Sequence, residues 1–218
     1  MDRPLRVLWD RLGPQEREIV DRCRTPEEVQ RWLHSLAYNS GGSGRPVRSF
    51  RGVVRFKRAH CLEAALACAT ILEFHGYPPL LLDLESADGL DHVVFVFRRA
   101  RRWGAVGKSR DDGLQGRRPV YRSIRSLAYS YYEPYVDDGE ARITAYALAD
   151  LRLAGTDRWR WCDRGAGEIE RYLIDLPHVP LRTSDRRYRK LKERYRSYVQ
   201  RTGNRYGTPA LRGREHWI

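Results

Sequence analysis

The sequence predicts an α+β domain, on three observations. A nearly all-apolar helix, Cys61-Leu-Glu-Ala-Ala-Leu-Ala-Cys-Ala-Thr-Ile-Leu72, is long enough to cross a core. Short apolar runs separated by turn signals follow it between residues 79 and 109, as in successive antiparallel strands. Helical patterns flank this core at both ends. The chain divides into an N-terminal helical brace over 1–40, a core over 41–175 and a basic helical extension over 176–218.

The first 40 residues read as two helices. Leu12, Ile19 and Val20 give the first a packing face. In the second, Thr25-Pro26-Glu27-Glu28 is a capping box with proline at the first helical position, and Val29, Trp32, Leu33 and Leu36 follow at helical spacing. Ser40 to Pro46 is a glycine-rich connector, and Val53 to Arg58 is basic and β-tending. The apolar helix opens at Cys61; Gly76 in the C′ position, then Pro78 and Pro79, end it.

Pro79 to Leu84 and Asp91 to Phe97 read as strands on either side of the polar turn Glu85 to Gly89. Trp103 to Ser109 returns as a third strand after the basic connection Arg98 to Arg102. A turn centred on Ala100 and Arg101 pairs Val96 with Ala105, Val94 with Gly107 and His92 with Ser109. Downstream, Pro119 to Tyr135 reads as a helix stopped at Pro134, its tyrosines assigned to core and surface packing. Arg142 to Leu148 alternates as a strand, Trp159 and Trp161 anchor a small subdomain, and Gly167 to Leu176 forms a short helix. In the extension, Tyr188, Leu191, Tyr195, Tyr198 and Val199 make one helical stripe, with Arg186, Arg187, Arg189, Lys190, Arg194 and Arg196 on the remaining surface.

Two residues carry the chemistry. A free thiol, with a pKa of about 8.5, is mostly protonated at neutral pH, and a helix N-terminus or a nearby imidazolium lowers that value. Cys61 sits in the first helical turn, and His92 follows 31 residues later at the mouth of a strand. Cys68, deeper in the same helix, reads as a buried small hydrophobe.

Cys61 at the head of the helix, the Gly76-Tyr-Pro turn into a strand, His92 opening the next strand and Trp103 on its hairpin partner resemble the transglutaminase-like superfamily of papain-fold thiol enzymes. The resemblance covers residues 45 to 112, with the compact spacing of bacterial and archaeal members. It implies a Cys-bearing central helix packed on an antiparallel sheet, Cys61 as nucleophile, His92 as general base and a third group orienting the imidazole. The family places an acidic residue about four positions after the tryptophan, where this chain has Gly107. Ser109 on geometry, or Asp111 on chemistry, is then the third member.

The implied function is acyl transfer: Cys61 attacks an amide or ester carbonyl, in a peptide or smaller substrate, and water or an amine resolves the acyl-enzyme. The alternative is a non-catalytic module of the same fold that binds a partner or nucleic acid. Charge bears on the alternative. Residues 176–218 carry twelve Lys or Arg against three acids, net +9 of the chain's +13; a solvated basic face is the default expectation, with at most weak, sequence-independent nucleic-acid binding through residues 182–218. His60, Cys61, His75 and His92 lack metal-ligand spacing, and no glycine-rich phosphate loop follows a strand, so no metal or cofactor is expected. Four cysteines without paired spacing and no apolar leader or membrane span give a cytoplasmic expectation.

Overall fold

The computed structural model describes residues 3–41, 46–162 and 166–211. Helices α1 (Arg3–Arg11), α2 (Pro14–Arg22) and α3 (Pro26–Ser35) lead to strand β1 (Ala37–Tyr38), helix α4 (Phe50–Phe56) and strand β2 (Arg58–Ala59), which pairs parallel with β1. The central helix α5 (Cys61–Glu73) precedes β3 (Leu80–Ser86), β4 (His92–Arg99), β5 (Arg102–Val106) and β6 (Arg117–Tyr121). Helix α6 (Ile124–Tyr135), β7 (Ile143–Asp150), α7 (Gly167–Ile174), β8 (Val179–Pro180) and α8 (Asp185–Thr202) complete the chain order. Strands β3 to β8 form one antiparallel six-stranded sheet in the order β6-β5-β4-β3-β7-β8.

The sheet is covered on both faces, which is why β4 reads as an uninterrupted apolar run. Val93, Phe95 and Phe97 join the core shared with α5, whereas Val94 and Val96 join Leu127, Ala128, Tyr131 and Tyr132 of α6. Helix α5 is itself enclosed: every residue from Leu62 to Leu72 is buried, packed on β4 and against α2, α3 and α4. A helix surrounded on all sides has no polar stripe to show in its sequence.

Several sequence expectations need correction. The described residues among the first 40 hold three helices, because Pro14 at a helix start divides the first segment and Glu16 Oε2 accepts the Gly13 N–H at 2.7 Å. Val53 to Phe56 lies in α4 rather than in a strand: the Ser49 hydroxyl caps the helix, and Phe50, Val53 and Val54 bury one face. Trp159, with Ile169 and Leu173 of α7, belongs to the main core and anchors no separate subdomain. Part of the Ser40 to Pro46 connector (42–45) and the end of the basic extension (212–218) lie outside the described residues.

The segment around Pro119 also differs. Residues 117–121 form the edge strand β6, where a proline removes no ladder bond that the sheet requires, and the helix begins only after Ser123. It then continues through Pro134 to Tyr135. A proline there leaves the Ser130 carbonyl without its helical donor, and Arg117 supplies one: its Nη2 lies 3.3 Å from that oxygen and its Nε 3.2 Å from Ser130 Oγ.

The β4–β5 hairpin turns at Ala100 and Arg101, both at positive φ (46° and 63°), with Arg99 opposite Arg102. This two-residue turn suits Asn-Gly, and a non-glycine residue in the left-handed region costs on the order of 1 kcal/mol. Ala100→Asn combined with Arg101→Gly is expected to raise stability by about 1 kcal/mol. A urea midpoint that stays put or falls would contradict this account of the turn.

Candidate active site

The head of α5 is fixed by Glu63. Its buried carboxylate accepts the His60 N–H (3.0 Å), the Arg48 N–H (3.0 Å) and the Asn39 side-chain amide (2.9 Å). These bonds tie the end of β1, the approach to α4 and the first turn of α5 together, and a carboxylate in that turn also suits the helix dipole.

Cys61 is the one cysteine of the four that is not buried. Its thiol makes a long contact to the Asp91 carbonyl at 3.9 Å. Burial pushes the thiol above its ordinary value, and the backbone N–H groups of Val93 and Leu62 oppose this by stabilising the anion. The sequence expectation of a depressed thiol is therefore reversed, since desolvation outweighs the helix terminus. Cys68, enclosed within the same helix, is raised further by burial.

His92 lies on the other face of the sheet. It is directly opposed to Leu84, and opposed residues share a face; both sit on the α6 side, with the imidazole 5.8 Å from the Tyr131 ring. The ring donates from Nε2 to the Leu114 carbonyl at 2.8 Å. Burial pulls its pKa down to about 4, helped by the Arg117 guanidinium, so the ring is neutral at pH 7. The structure thus does not bring His92 against Cys61, because one step along a strand exchanges faces.

Ser109 does not meet His92 either. Val96 does oppose Ala105, but β5 ends at Val106. Gly107 exchanges both backbone groups with the Gln30 side chain (2.8 and 3.0 Å), and Lys108 Nζ reaches the Leu33 and Leu36 carbonyls at the end of α3 (2.9 and 2.7 Å). The chain is thereby committed to α3, and the Ser109 hydroxyl accepts the Asp111 N–H at 3.1 Å. Asp111 faces Arg110 at 3.6 Å, with its carboxyl raised chiefly by burial. It shares with Cys61 an electrostatic neighbour, Tyr38, whose hydroxyl burial pushes up to about 12.

Two polar residues, Asp83 and His178, lie on the sheet face that α5 covers. Asp83 directly opposes Val93 on one side and Ala147 on the other, and the β7–β8 register continues that row to His178. His178 Nε2 lies 3.1 Å from Asp83 Oδ2. One signal for Asp83 was present in the sequence, a carboxylate inside the run Leu80 to Leu84, which a buried strand tolerates only with a partner. No sequence signal marks His178.

Two surface hollows lie elsewhere. One, of about 360 Å3, is lined by His75, Tyr77, Phe97 and Trp103 beyond the C-terminus of α5; the other, of about 550 Å3, lies among Leu151, Arg152 and Thr156. Neither includes Cys61. Among the described residues no cluster of three or more His, Cys, Asp or Glu is arranged to hold a metal ion, and no helix is long and apolar enough to cross a membrane. No protein-family model matches this chain, and no curated protein matches it significantly.

The neutral, buried state of His92 has a thermodynamic consequence. A folded pKa below the unfolded value of 6.5 means that stability is complete above pH 6.5 and is lost as pH falls toward about 4, amounting to roughly 3 kcal/mol. His92→Asn retains a donor for the Leu114 carbonyl and removes the titration. The difference between wild-type and variant urea stabilities is expected to change by about that amount between pH 7 and pH 4. A constant difference would show that the His92 ring is not buried and neutral.

Proposed function

We propose that this chain is a thiol-dependent acyl-transfer enzyme of the transglutaminase-like kind, with Cys61 as the nucleophile toward an amide or ester. The observation that carries the reading is the setting of the Cys61 sulfur. It is half-buried where the other three cysteines are buried, it stands at the N-terminus of a helix enclosed against an antiparallel sheet, and the Leu62 and Val93 N–H groups act on it. Those groups favour negative charge on sulfur. In attack, the sulfur adds to the carbonyl carbon and the C=O electron pair moves to oxygen. Collapse expels the amine or alcohol and leaves a thioester, which water or an amine resolves. His92 is given no proton-transfer role here, because its ring lies across the sheet and is held by Leu114.

The second reading is a non-catalytic binding module. It is favoured by the separation of His92 from Cys61 and by α8, which has no buried residue and exposes Arg186, Arg189 and Lys190. The partner in this reading is nucleic acid, bound through phosphate contacts.

p-Nitrophenyl acetate separates the two. Acyl transfer predicts a burst of one equivalent of nitrophenolate, an acetyl group mapped to Cys61, and loss of both in Cys61→Ala. No burst, or acetylation spread over several cysteines, would remove the enzyme reading.

A further inference from the structure

We infer that Asp83 and His178 form the acid–base pair that serves Cys61, an inference resting on the acyl-transfer reading above. Three independent features of the structure place the pair.

The first is register. Asp83 opposes Val93, whose N–H acts on the Cys61 sulfur, and Cys61 also touches the Asp91 carbonyl two residues earlier. The carboxylate is thus one strand away from the backbone over which the thiol sits, on the same face. Consistent with this, the Asp83 charge is felt at Cys61 and opposes the thiolate. The second is Ala147. The small side chain between Asp83 and His178 in the row leaves room for the imidazole to reach across β7.

The third is proton count. His178 Nδ1 lies 2.8 Å from the Leu176 carbonyl, which can only accept, so Nδ1 carries a proton. A neutral ring then has a lone pair at Nε2, and so has the carboxylate oxygen 3.1 Å from it. The contact requires one further proton, held as imidazolium facing carboxylate or as carboxylic acid facing imidazole. A pair that stores one proton between two nearly buried groups, with side chains 13% and 6% exposed, is equipped to exchange it.

The step balances without another reagent. As sulfur adds to the acyl carbon, its S–H bond breaks and the proton passes through a solvent water to the Asp83 carboxylate, with His178 holding the pair's other proton. As the C–N or C–O bond breaks, the proton on Asp83 goes to the departing amine or alcohol. The other ionisable groups near the thiol are Tyr38 of β1, His60 just before α5, Glu63 of α5, Asp91 just before β4 and Tyr135 of α6. Of these, Glu63 is occupied by backbone donors and Asp91 Oδ1 by the Ser86 N–H.

Two reactions of the full chain, followed from pH 5 to 10, test the pair. Iodoacetamide reports the Cys61 thiolate alone, whereas acetylation by p-nitrophenyl acetate also requires removal of the thiol proton during attack. Asp83→Asn is expected to speed alkylation at pH 7 by about threefold, through loss of a nearby negative charge. The same variant is expected to slow acetylation by at least about tenfold. His178→Gln is expected to slow acetylation and flatten its pH profile, and to add nothing in the Asp83→Asn background. It lies nearer the surface and carries the test if Asp83→Asn does not fold, as judged by circular dichroism. A burst that persists while both variants leave the two reactions unchanged, or move them alike, would overturn the pair and spare the acyl-transfer reading. Absence of any burst in the wild type would overturn both.

Discussion

The enclosure of α5 is the constraint on which the rest of the structure depends. An apolar helix buried from Leu62 to Leu72 contributes the largest share of the core, and in return its first turn must find partners for its free N–H groups. Glu63 accepts one of them, the His60 N–H, and with it the Arg48 N–H and the Asn39 side-chain amide from two other segments. Leaving such buried donors unsatisfied costs on the order of 1–3 kcal/mol each. The same carboxylate fixes where Cys61 stands, since the thiol is two positions earlier in the first turn. Stability of the helix end and placement of the thiol are therefore one problem with one solution.

A second organising element is the 107–117 segment, which the hydrogen bonds of buried side chains shape more than any regular structure does. Gln30 pairs with the backbone of Gly107 as a strand would, and a Cβ on Gly107 would stand 2.7 Å from Val94 Cγ1, so the position admits only glycine without rearrangement. Lys108 places a cation at the C-terminal carbonyls of α3, where the helix dipole favours it. Arg117 bonds the Gly113, Gln115 and Gly116 carbonyls, stacks 4.0 Å from the Tyr131 ring and satisfies the carbonyl that Pro134 leaves open. The result is a rigid frame around His92, whose imidazole acts there as a buried donor linking the sheet to that segment.

The sheet divides the chemistry by face. His92, Val94 and Val96 look toward α6, and Asp83 and Val93 look toward α5. Sequence proximity of His92 to Asp91, whose carbonyl touches the thiol, hides this separation, because adjacent strand residues diverge by about half a turn. Conversely, Asp83 and His178 are 95 residues apart in the chain and meet because β8 adds to the free side of β7.

Local patterns determined much of this molecule. The capping box at Thr25, the start of α5 at Cys61 and its stop before Gly76, the hairpin turn at Ala100 and Arg101 and the strand nature of β3, β4 and β7 follow from residue chemistry within a few positions, and the structure has them. So does the burial of Cys68. Tertiary structure decided the rest, where the competing partner is distant in sequence. Arg117 lets a helix pass through Pro134, Gln30 and Lys108 end β5 before it can bring Ser109 to His92, and packing on α5 makes a helix of Val53 to Phe56 despite its β-branched residues. The face on which His92 falls was readable in principle from alternation, but a strand buried on both sides gives the same apolar letters to each face. Only the packing of α5 and α6 on opposite sides assigns those letters, and with them the residues that share a surface with the thiol.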